Sequence, residues 1–222
     1  MNLLVLGRGK TGSLVAEVAA ARGHKVRSLG GDENTGASAL TKEFLRDFDC
    51  VVDFTAPAAV IPNIIACTQA SANMVVGTTG WYDKIPKVKE LVEHSGSGFL
   101  YASNFSVGMN IFFDIAAAAG AAMKQGYSAR IVERHHTQKK DAPSGTAVTI
   151  RQKLGAEDIE ITSIREGDAA GQHVIMLDSP NDTMMLVHDS KSRRGFAEGA
   201  VIAAEWLQGK KGFFEFKDAL KK

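Results

Sequence analysis

Residues 4–12 read "LVLGRGKTG", an apolar run followed by Gly7, Gly9 and Gly12 in GxGxxG spacing. The run belongs to "NLLVL" (2–6), a short buried-strand pattern, and the glycines open into "TGSLVAEVAAARG" (11–23), apolar at helical spacing and closed by glycine. Strand, glycine turn and helix in that order let a backbone turn tightly and approach a pyrophosphate, whose charge then meets the helix N-terminus. Gly7, Arg8, Gly9, Lys10, Thr11 and Gly12 are therefore candidates to hold a dinucleotide, with Arg8 and Lys10 adding positive charge. A tight turn that binds nothing would also use the glycines.

Working outward, the same grammar repeats. "HKVRSL" (24–29) and "DCVVDFT" (49–55) are strand patterns, "PAAVIPNIIACTQA" (57–70) is helical with Pro57 in its first turn, and "NMVVGTT" (73–79) is another buried strand. "KVKELVEHSG" (87–96) then reads as a short amphipathic helix and "GFLYAS" (98–103) as a fifth strand. Strands alternating with helices at this spacing predict a doubly wound parallel sheet of Rossmann type, because parallel neighbours need a helical crossover. "GGDENTGASAL" (30–40) is too polar for core and is expected to be a surface loop, followed by a short helix at most.

Two further loops belong to this site. In an open parallel sheet the ligand crevice lies outside the carboxyl ends of the strands, where "VVGTTGW" and "YASNFSVGMN" fall. Gly77, Thr78 and Thr79, with Ala102, Ser103, Asn104 and Phe105, are thus cofactor-binding candidates; as polar turn residues they would otherwise satisfy local backbone groups. The acidic residue that grips a ribose in such sites has no clear counterpart: Gly30 and Gly31 stand at the expected place, and Asp32 and Glu33 come late. Arg27 would suit a 2′-phosphate or a solvated strand face.

After about residue 105 the pattern changes. "GMNIFFDIAAAAGAAMKQG" (108–126) is a long alanine-rich helix, and "SARIVER", "IEITSIRE", "HVIMLDS" and "TMMLVHDS" are strand patterns, which predict an α+β domain with a mixed or antiparallel sheet. The expected division is 1–105 for the dinucleotide-binding domain and 106–194 for a second domain. The tail, "GFAEGAVIAAEWLQGKKGFFEFKDAL", reads as helix, and the segment 195–222 is expected to pack back on the first domain.

Composition excludes several functions. With 26 basic and 25 acidic residues there is no global field for nucleic acid or an anionic membrane. Cys50 and Cys67 sit in apolar settings without metal-ligand spacing and read as buried free thiols in a reducing compartment. The opening run is too short for a signal core, and no stretch reaches the ~20 apolar residues of a membrane span, so a cytoplasmic location is expected.

The densest titratable cluster is "ERHHTQKKDAPSGT" (133–146). If strand geometry persists through His135 and His136, their side chains point to opposite faces, and only one addresses a pocket. Imidazole suits general acid or base work, and Lys139 and Lys140 supply fixed positive charge. Ser144 is a favourable helix N-cap, and the N–H groups of Gly145 and Thr146 lie in the first turn, without acceptors within the helix, an anion cradle. Lysine and helix start together suit a dicarboxylate. Asp141 paired with a lysine on a solvated surface is the plainer alternative. Adjacent histidines without a cysteine or carboxylate at ligand spacing argue against a metal.

This segment closely resembles the signature of the 4-hydroxy-tetrahydrodipicolinate reductases, or dihydrodipicolinate reductases, E-x-H-H-x-x-K-x-D-A-P-S-G-T-A. "VVDFTAP", "VVGTTGW", "ASNFSVGMN", "SIREGD" followed by "GQH", and "SRRGFAEGA" resemble further family segments in family order. The resemblance implies reduction of a cyclic dicarboxylate with loss of water, in lysine and diaminopimelate biosynthesis, using NADH or NADPH. It implies that His135 is the proton donor, His136 a substrate contact, Lys139 a catalytic or carboxylate-binding residue, and Ser144, Gly145 and Thr146 the carboxylate-binding helix start. It also implies a homotetramer assembled through the second, substrate-binding and oligomerisation domain. The chain departs from the family in a glycine loop one residue shorter and in compact segments between motifs. Another dehydrogenase of a small anion would keep the glycine loop without this histidine–lysine order, and a silent nucleotide sensor would lack the proton donor.

Overall fold

The computed structural model describes residues 1–221 and divides into two compact units, Met1–Ser106 with the chain from Arg194 onward, and Val107–Arg193. In chain order the first unit starts with β1 (Asn2–Leu6), α1 (Lys10–Ala21), β2 (Lys25–Leu29), α2 (Lys42–Leu45), β3 (Cys50–Asp53), α3 (Pro57–Gln69), β4 (Met74–Val76), α4 (Ile85–Ser95) and β5 (Gly98–Tyr101). The second holds α5 (Val107–Ala119), β6 (Ser128–His135), α6 (Gly145–Leu154), β7 (Glu160–Arg165), β8 (Gln172–Asp178) and β9 (Thr183–Asp189). The chain then returns to the first unit with α7 (Arg194–Leu207), β10 (Gly212–Glu215) and α8 (Phe216–Leu220).

The first unit is a six-stranded sheet in the order β10-β5-β4-β3-β1-β2, parallel at every pairing. Helices cover both faces of a doubly wound sheet, so its central strands are apolar without alternation: Leu3, Leu4 and Val5 of β1 and Val51 and Val52 of β3 are fully buried. Chain order reverses between β1 and β3, which places the switch point, where such sheets take their ligands, at the ends of those two strands.

The tail corrects the expectation of an all-helical return. Between α7 and α8, β10 adds a sixth strand in register with β5, Phe213 opposite Phe99 and Glu215 opposite Tyr101. The Phe99 and Phe213 rings stack at 5.2 Å, so a four-residue aromatic run gains from a cross-strand partner what its length could not signal.

The second unit's mixed sheet runs β7-β6-β8-β9, with β6 parallel to β7 and antiparallel to β8. Met109, Phe112, Phe113 and Ala116 recur on one face of α5 and pack with Ile131, Ile175, Leu177 and the α6 residues Ala147, Ile150 and Leu154. A Cβ at Gly120, just beyond α5, would lie 2.5 Å from the Leu154 carbonyl oxygen, so glycine is required for that approach. By length and composition alone the helical stretch Val107–Gln125 is sufficient to cross a bilayer. Here its buried side chains belong to the core of the second unit.

Candidate active site

The glycine loop stands at the switch point. Gly7 follows β1 with φ +96°, and a Cβ there would lie 2.2 Å from the Phe54 carbonyl oxygen just after β3. A Cβ on Gly12 would lie 2.0 Å from the Gly7 oxygen, so strand, turn and α1 are packed to backbone contact. Gly9 is the N-cap of α1 in extended conformation, and a Cβ on it would meet nothing within 4 Å. The first amide bonded back to the cap is that of Ser13, on the Gly9 oxygen at 3.0 Å, which leaves the first-turn N–H groups of Lys10, Thr11 and Gly12 without intrahelical acceptors. Open space above unpaired amides suits a pyrophosphate.

The late acidic residue reaches the end of β2 by a turn. Glu33 folds back so that Oε2 accepts from the Gly30 N–H at 2.8 Å and meets the Arg8 guanidinium at 2.6 Å. Arg8 also donates to the Ser28 carbonyl at 2.9 Å. Arg27 instead lies over the Phe44 ring, 4.8 Å from its centroid, as a strand-face residue.

The other two loops divide between exposed and structural residues. Thr78 is buried; its hydroxyl donates to Asp53 Oδ1 at 2.6 Å and accepts from the Thr55 N–H at 2.7 Å. Thr79 and Ser103 keep exposed side chains. Gly77 lies against Phe54, whose ring a Cβ would approach to 2.3 Å. Ala102 bonds by its N–H to the Val76 carbonyl at 3.3 Å, and Asn104 Oδ1 accepts from the Ser106 N–H at 2.9 Å. Phe105 is a core residue between Phe54 and Phe216.

Asp53 organises these loops and escaped the sequence reading. It is fully buried; Oδ1 also accepts from the Thr55 N–H at 3.0 Å and Thr55 Oγ1 at 2.7 Å, and Oδ2 accepts from Asn63 at 2.8 Å. Asn63 in turn accepts from Asn34 at 3.0 Å, which ties the loop after β2 to α3. The signal available was a carboxylate ending the apolar run of "VVDFT".

In the second unit, strand alternation puts Ile131, Glu133 and His135 on the buried face of β6. His135 Nδ1 pairs with Glu133 Oε2, while Glu133 Oε1 accepts from Arg165 of β7 at 2.8 Å. Arg165 Nη2 donates as well to the Asp141 carbonyl at 2.6 Å, so one guanidinium holds both the carboxylate and the following loop. Burial alone would raise the Glu133 carboxyl; hydrogen bonds from Arg165 and Ser163 and the neighbouring His135 outweigh it and hold the group below the ordinary glutamate range. Burial lowers the His135 imidazole below its ordinary value, Glu133 opposes that, and Lys139 reinforces it.

His136 leaves the strand, its N–H bonded to the Ala169 carbonyl at 3.0 Å. Lys139 Nζ lies 2.8 Å from Asp141 Oδ1 and 2.9 Å from Oδ2, the plainer pairing considered from sequence. Ser144 is the α6 N-cap: it is buried, accepts from the Ala147 N–H at 3.2 Å and lies 3.3 Å from His173 Nε2. Its hydroxyl is thereby committed to the scaffold, whereas Gly145 is exposed with nothing within 4 Å of a Cβ and Thr146 is half-buried.

His173 of β8 stands edge-on to His135, ring centroids 5.2 Å apart, and burial drives its pKa down to about 3. Donor atoms of Glu133, His135 and His173 lie within 4.8 Å of one another, a grouping that sequence spacing did not show. The Glu133 carboxylate is already committed to Arg165 and His135, so the grouping reads as a hydrogen-bond network.

Family comparison agrees with this arrangement along the chain. The description "Dihydrodipicolinate reductase, N-terminus" matches residues 1–105, and "Dihydrodipicolinate reductase, C-terminus" matches residues 108–220. The chain belongs to the dihydrodipicolinate reductase family. The 4-hydroxy-tetrahydrodipicolinate reductase of Christiangramia forsetii is 38% identical over 99% of this chain and 98% of its own. That of Natronomonas pharaonis is 32% identical over 99% and 100%. Among solved structures, a dipicolinate-bound dihydrodipicolinate reductase from Paenisporosarcina sp. TG-14 shares the fold with TM-score 0.78 at 22% identity, covering 98% of each chain. The family's N-terminal part thus coincides with the glycine-loop sheet, and its C-terminal part starts at the mixed-sheet unit and runs through the returning segment.

Proposed function

We infer that this chain reduces 4-hydroxy-tetrahydrodipicolinate to tetrahydrodipicolinate with loss of water, in the cytoplasm, as a step of lysine and diaminopimelate biosynthesis. The observation that carries this reading is the joining of a buried His135, Lys139 and the exposed Gly145 start of α6 in one segment of a chain that belongs to this family.

Gly7, Gly9 and Gly12, the α1 start, Arg8 and Glu33 would hold NADH or NADPH, which when bound supplies a hydride to the substrate ring. The enamine-type carbanion left in the substrate needs a proton, and His135 is the donor, its Nδ1 engaged by Glu133 and its Nε2 remaining to deliver. A bound dicarboxylate raises the His135 pKa by proximity of negative charge, which favours the imidazolium where it is needed. Lys139, released from Asp141, and the N–H groups of Gly145 and Thr146 hold the carboxylates, with His136 orienting the ring.

Assembly as a homotetramer through the second unit has support on the outer face of its sheet. Val132, Val174 and Val187 form one cross-strand row, and Met176 and Met185 the next. Met185 and Val187 are 58% and 53% exposed, an apolar surface suited to a second copy.

Purified protein given freshly prepared substrate should oxidise NADH or NADPH, and His135→Ala or Lys139→Ala should lower kcat by about 10²-fold or more with cofactor affinity retained. No oxidation with either cofactor overturns the assignment. Light scattering at graded concentration reports the tetramer.

A further inference from the structure

The sequence pattern leaves Glu133 as the unexplained first letter of the histidine segment, yet it is the more deeply buried partner of the pair. Its carboxylate is fully excluded from solvent, one oxygen on His135 Nδ1 and the other on Arg165 Nη2. A buried carboxylate needs compensating partners, and these two residues, with the Ser144 N–H at 3.4 Å from Oε1, encircle it.

The geometry beyond the ring has a direction. Gly171, at φ +142°, faces the other imidazole nitrogen: a Cβ there would stand 3.0 Å from His135 Nε2. The protein thus grips Nδ1 with a carboxylate, and on the Nε2 side residue 171 is a glycine whose missing Cβ leaves room for the ring. A carboxylate at Nδ1 selects the tautomer with the proton on Nδ1 in the neutral ring and steadies the imidazolium when both nitrogens are protonated.

We propose that Glu133, held in place by Arg165, is the positioning residue of the reaction, fixing the His135 ring so that Nε2 alone exchanges protons with substrate. This rests on the reductase reading above, in which His135 is the donor. The charged and titratable groups around His135 are Glu133 on its own strand, Arg165 from β7, His173 from β8 and Lys139 from the following loop, with His188 of β9 acting on His173. Burial, Lys139 and Arg165 disfavour an imidazolium at His135, and Glu133 alone favours it, by its charge and its hydrogen bond. Removing that one negative charge therefore shifts His135 in a known direction, toward the neutral ring.

The test is Glu133→Gln in the full chain. Expected are a kcat at pH 7.5 lower by about 10²-fold, substrate KM changed by less than about threefold, and the alkaline limb of the kcat profile moved by about one pH unit or more to the acid side, so that activity partly returns on acidification. An unchanged profile with an active wild-type enzyme overturns the proposal and leaves the reductase reading intact, whereas an inactive wild type overturns that reading first. Nitrogen NMR of the imidazole in the wild-type protein decides the geometry independently of turnover and of the variant's folding. The Nδ1–H tautomer supports the proposal, and Nε2–H refutes it.

Discussion

The Arg8 guanidinium meets the Glu33 carboxylate at 2.6 Å beside the end of β2, where a dinucleotide's adenosine ribose is recognised. Glu33 accepts the Gly30 N–H as well, so the carboxylate is oriented before any ligand arrives. A carboxylate there accepts from ribose hydroxyls and repels a 2′-phosphate, while Arg8 offsets part of that repulsion. NADH should bind more tightly than NADPH, and Glu33→Gln should narrow the gap by about tenfold, or ~1.4 kcal/mol. Equilibrium titration with both nucleotides checks it; a wild-type preference for NADPH refutes it.

Gly7→Ala should be severe for its size. The added methyl would stand 2.2 Å from the Phe54 oxygen at a backbone angle that side chains rarely adopt. A strain of about 1–3 kcal/mol is expected, with loss of nucleotide affinity exceeding tenfold because the β1 and β3 ends must separate. Thermal melting with and without nucleotide separates the two effects.

Asp53→Ala should loosen three loops together. It strands donors from Thr55, Thr78 and Asn63 in a buried setting. Each unsatisfied donor costs about 1–3 kcal/mol, less whatever water recovers. Lower denaturation midpoints, with hydrogen exchange accelerated at the ends of β3 and β4, are the expected readings.

Acid should weaken the protein partly through His173. Its folded pKa of about 3 lies below its ordinary value of 6.5, so the unfolded chain takes the proton first as pH falls. The stability associated with a neutral His173 is complete above pH 6.5 and lost progressively toward pH 3. Glu133, also lowered, contributes in the same direction over the carboxylate range. Denaturant unfolding across this window should show a shallower pH slope in His173→Gln than in wild type.

The parallel sheet was legible because buried strands and amphipathic helices differ in period, and the glycine turn marks β1 and α1 unambiguously. β10 was not: four half-buried residues carry too little pattern, and their strand character comes from Phe99 and Tyr101, over a hundred residues away in sequence. The site followed the same rule. The histidines and Lys139 stand together in one sequence segment, but the surroundings of His135 are assembled from β6, β7 and β8, and Arg165 and His173 are brought to it only through strand pairing. Glu33 was late by count and arrives by a turn that spacing does not encode.

The return of the chain to its first sheet sets an order of manufacture. α7 packs along α1, and Arg22 closes a two-pronged contact on Glu205 at 2.9 and 2.7 Å, while β10 completes the edge of β5. A nascent chain emerging from its N-terminus therefore exposes the apolar side of α1 and an open β5 edge while the whole mixed-sheet unit is being translated. The half of the protein that starts first is the half that finishes last, and a transcript cut short after the histidine segment yields a chain whose nucleotide unit still lacks its final strand.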